Sequence, residues 1–144
     1  MPVIIIASDS AALRKELVAT IDRPEFELIE VSSGPDAIAV AKAKEADLVI
    51  SDLQMSNMGG MAVTLELRLE ASYDEMLPTP VLLLLDRRAD VLLARRSGAE
   101  GFVIKPLDPL RLRRAVDALL NGGSYEDTSF QPSPVLVPEI LKGA

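Results

Sequence analysis

The chain contains no cysteine and no histidine. The first absence removes disulfides and thiol chemistry. The second rules out a Ser/His/Asp triad, a histidine-bound zinc site and a phosphohistidine carrier. Tryptophan is missing too, and with two tyrosines there is little to stack on a flavin. Uninterrupted apolar runs stop at about five residues, far short of the ~20 that a membrane-spanning helix needs. Positive charge is in the minority: the net charge is −7, which argues against nucleic acid as a direct ligand. No basic leader or cleavage pattern precedes the strand-like "VIIIA" near the start, so no targeting segment and a cytoplasmic location are expected.

What is present is a core. Apolar residues make up 49% of 144 positions, enough for one domain of ordinary size. Five short apolar runs alternate with amphipathic segments: "VIIIA" (3–7), "FELIEV" (26–31), "DLVIS" (47–51), "PVLLLL" (80–85) and "GFVI" (101–104). Four are nearly continuous, as in parallel strands covered on both faces. Between them Ser10, Ser33 with Pro35, and Asp108 with Pro109 mark helix starts; Asp90 is placed to start a fourth helix, and Gly98 and "NGG" (121–123) mark stops. "VTLELRLE" (63–70) alternates like a strand, but its composition and the βα rhythm favour helix. Met61, Leu65 and Leu69 are expected on its buried face, with Leu67 off it. The expected fold is α/β: (βα)₅, a doubly wound, five-stranded parallel sheet.

In this architecture ligands bind beyond the carboxyl ends of the strands. Asp9 follows the first strand, Asp52 the third and Lys105 the fifth. Singly, each reads as an ordinary loop charge. Jointly, two carboxylates facing an ammonium suit a hard divalent cation and a phosphoryl group.

At these residues the chain resembles a response-regulator receiver domain, the CheY-like branch of the flavodoxin-like fold, over about residues 2–121. "DLQMSNMGG" is similar to the family's phosphoacceptor loop, "FVIKPLDP" to its Lys-Pro motif with an expected cis Lys105-Pro106 bond, and Gly98-Ala99 to its small pair. The resemblance implies that Asp52 is the phosphoacceptor. It implies weakly held Mg²⁺ on Asp9, Asp52 and the Gln54 backbone carbonyl, with Lys105 contacting the phosphoryl oxygens. It further implies a signalling protein and not an enzyme, working in a two-component phosphorelay with a histidine kinase, phosphotransfer protein or small phosphodonor. Residues 122–144 would form a proline-containing tail with no output domain.

Several positions depart from the family's pattern. Ser8 stands where a second acid is usual, Leu85 replaces the hydroxyl residue that ends the fourth strand, Phe102 lacks a phenol, and Ser56 replaces the loop proline. Asp86 reads either as a solvated N-cap of the fourth helix or as a substitute metal ligand, or a repulsive group beside the site. A degenerate receiver that binds partners without phosphorylation is the alternative function. An FMN enzyme would need a glycine loop where "ASDSAA" stands, and a haloacid-dehalogenase-type phosphatase would need a second acid in "SDS".

Charge is unevenly spread. Residues 87–114 hold eight Lys and Arg against three acids, a net +5 that leaves −12 on the remainder. That segment corresponds to the helix 4–strand 5–helix 5 face through which the family meets effectors or itself. The tail, acidic with Val135-Leu136-Val137 and Ile140-Leu141, is expected to dock near it.

Overall fold

Apolar runs of five residues become strands here because both of their faces are covered. A computed structural model describes residues 1–130. Strands β1 (Val3–Ala7), β2 (Glu27–Val31), β3 (Leu48–Asp52), β4 (Val81–Leu85) and β5 (Gly101–Ile104) alternate with helices α1 (Ala11–Ile21), α2 (Gly34–Ala43), α3 (Gly60–Tyr73), α4 (Val91–Ser97) and α5 (Pro109–Leu120). Every pairing is parallel. The sheet splits the core in two: β1, β3 and β4 send Ile5, Val49 and Leu83 towards α2, α3 and α4, and Ile4, Ile50 and Leu84 towards α1 and α5. Among the described residues no helix is long and apolar enough to cross a membrane.

The expected helix starts hold for three helices. Ser10, Ser33 and Asp108 accept hydrogen bonds from the Leu13, Asp36 and Leu110 amides, and Gly98 ends α4 with φ 77°. The fourth start differs. Buried Asp90 does not cap α4; its carboxylate accepts from the Arg87 amide and closes a 3₁₀ turn, Arg88–Asp90, ahead of the helix. Asp86 is no cap either, since its carboxylate faces Lys105.

Two further differences matter. The buried residues of α3 are Gly60, Val63, Thr64 and Leu67, while Leu65 and Leu69 are 48% and 47% exposed. The expected assignment is thus reversed for the three leucines, while Met61 packs partly buried against the core as expected; small residues at i, i+4 let the helix lie close to the sheet and turn Leu65 and Leu69 outward. Gly60 shows how close: a Cβ there would stand 2.7 Å from the Asp52 carbonyl oxygen.

The sheet also has a sixth strand, β6 (Tyr125–Glu126), giving the order β2-β1-β3-β4-β5-β6. It runs parallel to β5, with Tyr125 opposite Gly101 and Glu126 opposite Phe102. Asp127 completes the attachment. Its amide donates to the Phe102 carbonyl at 3.1 Å, and its carboxylate accepts from the amides of Ile104 (2.9 Å) and Ser129 (2.8 Å). Arg95 pairs with Glu126, and Arg111 lies 3.7 Å from Asp127. The start of the expected tail therefore lies beside α4 and α5; Val135–Val137, Ile140 and Leu141 fall outside the described residues.

Candidate functional site: a carboxylate at the end of the central strand

β3 lies between β1 and β4 in the middle of the sheet, so its last residue opens onto the carboxyl edge where three loops converge. That residue is Asp52. Its carboxylate is buried, a position that an acid occupies only when its oxygens are bonded. Both are: Oδ2 accepts from the Ser8 hydroxyl at 3.1 Å, and Oδ1 from Lys105 Nζ at 2.9 Å. Ser8 is itself fixed, accepting from the Ser10 amide at 3.0 Å, while its carbonyl receives the Arg14 guanidinium at 2.6 Å.

Lys105 follows β5, and its amide donates to the Leu85 carbonyl at 2.8 Å, which locks the lysine to the end of β4. The Lys105-Pro106 bond is cis. The ammonium also meets Asp86 Oδ1 at 2.9 Å, so one cation bridges two carboxylates. Burial opposes its charge, yet the hydrogen bonds from Asp86 and Asp52 and their negative charges outweigh this, raising its pKa above the usual lysine value.

Of the expected site residues, Asp52, Lys105, Ser8 and Asp86 form one connected chain of hydrogen bonds. Asp9 stands apart. Exposed after β1, it accepts from the Ser56 amide at 3.1 Å and the Ser56 hydroxyl at 2.9 Å. A proline at position 56 has no N–H and could make neither bond. Ser56, noted in the sequence only as a replacement of the loop proline, thus joins the candidate site through Asp9. Gln54 is exposed in the same loop, and Pro106 is exposed beyond Lys105. Leu85 and Phe102 are buried in the core face shared with α2, α3 and α4, and neither has a hydroxyl to offer.

The residues around this carboxylate coincide with a known family pattern. The response regulator receiver domain family matches residues 4–117. The chain belongs to that family. Among proteins, it is 26% identical over 119 residues to PilH of Pseudomonas aeruginosa, covering 83% of this chain and 98% of that protein. It is 27% identical over 130 residues to the transcriptional regulatory protein AfsQ1 of Streptomyces coelicolor, spanning 89% of this chain but only 55% of that longer regulator. Among structures, a signal receiver domain of a signal transduction histidine kinase from Syntrophus aciditrophicus superposes with a TM-score of 0.73 at 26% identity, covering 96% of this chain and 100% of that one.

Receiver domains bind Mg²⁺ at an acidic phosphorylation site. The groups present in this receiver fit such an ion by chemistry: carboxylates on Asp9 and Asp52 and the Gln54 carbonyl are all hard oxygens, and Mg²⁺ ordinarily takes one or two carboxylates and keeps several waters. The fit is thin, because among the described residues no three His, Cys, Asp or Glu gather as a metal cluster. Ser8→Asp is therefore expected to tighten Mg²⁺ binding by roughly ten-fold, measured by calorimetric titration. An unchanged affinity would mean that a second acid adds nothing at this position.

Proposed function

We propose that this receiver accepts a phosphoryl group on Asp52 from a histidine kinase, a phosphotransfer protein or a small phosphodonor, and signals through protein contacts at the α4–β5–α5 face. The observation that carries the reading is a buried carboxylate at the central strand end, held between the Ser8 hydroxyl and the Lys105 ammonium. In the transfer, an Asp52 oxygen forms a bond to phosphorus as the bond from phosphorus to the donor's nitrogen or oxygen breaks, leaving an acyl phosphate. Catalysis of such a step is mostly positioning and charge compensation. Packing of β3 against α3 at Gly60 fixes the Asp52 backbone, Ser8 orients the carboxylate, and Lys105 supplies positive charge for the transferred oxygens. Bound Mg²⁺, held by Asp9, Asp52 and the Gln54 carbonyl, would neutralise further phosphoryl charge.

The test is intact-protein mass spectrometry after incubation with acetyl phosphate and Mg²⁺. The protein is expected to gain one phosphoryl group and Asp52→Asn none. Equal labelling of the variant, or none of the parent protein with any donor, would sink the reading. A second reading, binding partners without phosphorylation, is favoured by one observation: Lys105 is shared with Asp86, an anion already beside the place a phosphoryl group would take.

A further inference from the structure

Among the described residues, five of the nine exposed large apolar side chains lie on α3 and α4, the others being Met1, Met76, Leu77 and Leu110. Leu65, Leu69 and Tyr73 succeed one another at i, i+4 and i+8 along α3, at 48%, 47% and 77% exposure. Leu92 and Leu93 are 58% and 42% exposed on α4, the helix that packs beside α3. Exposed apolar side chains gathered on two neighbouring helices point to a surface that another molecule covers.

The charges flanking these side chains differ in sign. On the α3 side lie Glu66 and Glu70; Glu70 faces α2, where it meets Lys42, and Asp74 and Glu75 follow the helix. On the α4 side stand exposed Arg87, Arg88 and Arg96, and Arg95 faces β6, where it meets Glu126. The exposed leucines of α3 thus stand among acids and those of α4 among arginines, Leu92 and Arg96 sharing one stripe at i, i+4. A twofold axis lying in the plane of the contact and running between the two helices lays α3 of one copy on α4 of the other and brings the acidic helix opposite the basic one, twice over. That is the self-complementarity a closed dimer requires.

We propose that the α3–α4 surface is a homodimer interface, with Leu65, Leu69, Leu92 and Leu93 at its centre and the Glu66 edge of each copy facing the Arg96 edge of its partner. The occupant is a second copy because both halves of the complement are on this one chain. With so few apolar side chains the interface is expected at the small end of the ~1,200–2,000 Å² class, with reversible association. This surface centres on α3, so its test is independent of phosphorylation.

Sedimentation velocity of the full chain over a concentration series is the experiment. A monomer–dimer equilibrium is expected, weakened at least ten-fold by Leu65→Ser with Leu69→Ser, and weakened by high salt through its charged edges. Glu66→Arg and Arg96→Glu should each weaken the dimer several-fold, and the two together should restore it, because each contact pairs position 66 with position 96 of the other copy. Thermal melts at unchanged midpoint separate lost association from lost folding, as expected for surface changes. A monomer at every concentration overturns the proposal. So does a dimer indifferent to Leu65 and Leu69 but broken by Arg111→Glu or Arg113→Glu, which would put the interface on α5. Failure of the charge swap to restore association overturns the twofold arrangement.

Discussion

Leu85→Thr is expected to cost about 2–4 kcal/mol of stability, since it removes buried methyl groups from the end of β4 and adds a hydroxyl to an apolar core. Leu85 is fully buried, pairs with Ile104 across β4 and β5, and shares a core face with Phe102. Denaturant unfolding should show the midpoint fall with little change in slope. The same substitution has a functional side. With Leu85 in place, no hydroxyl at the end of β4 can bond a phosphoryl oxygen. Beryllofluoride, a phosphoryl mimic, should therefore shift amide resonances around Asp52 far more than those of Phe102 and α5. Leu85→Thr should carry the shifts into β5. Large β5 shifts in the unmodified protein would mean that coupling runs through other groups.

Asp127→Ala is expected to cost about 2–3 kcal/mol and to release β6 from the sheet. The carboxylate is 2% exposed and is the acceptor for the Ile104 and Ser129 amides, so truncation leaves buried donors unbonded. Burial alone would raise its pKa, but the hydrogen bonds from Ile104 and Ser129 and the Arg111 charge prevail and hold it below the usual aspartate value. The sign follows from linkage: the unfolded chain binds this proton at higher pH than the folded one. The stabilisation is complete above the ordinary aspartate range and is lost as pH falls through the lower folded value. The protection factor of the Ile104 amide, its observed exchange rate set against the intrinsic rate at the same pH, should fall in acid for the parent protein and be low at every pH for the variant. Equal protection in both would show that β6 is held by its backbone alone.

Five strands and three helix caps were legible because their signals are local: apolar runs bounded by serine, aspartate, proline and glycine. The buried face of α3 was not. Leucine spacing at 65 and 69 looks like a core stripe, whereas the contact is made by Gly60 and Thr64, and hydropathy says nothing about how close a helix must lie. β6 was illegible for a different reason. "YED" has no strand pattern of its own, and its place is set by the free edge of β5 and by Asp127 reaching the Ile104 amide. At the site, strand ends predicted where Asp9, Asp52 and Lys105 would fall. The backbone alone could not tell that Ser56 would draw Asp9 aside or that Lys105 would be divided between Asp52 and Asp86.

Ser8 and Asp52 are 44 residues apart, and Lys105 lies 53 residues beyond Asp52. With every pairing parallel, neighbours in the sheet are joined only by long crossovers, and such contacts form late because loop closure precedes any reward. As the chain leaves the ribosome, β1, β2 and β3 can meet while Asp52 still lacks its cation, and only the emergence of β5 supplies it. The oxygens of Asp52 therefore report whether β5 has joined the sheet: no partly opened form that has lost β5 can reproduce their environment. On the proposed function, competence to take up a phosphoryl group would then arrive, and disappear, with the packing of β5 onto the sheet.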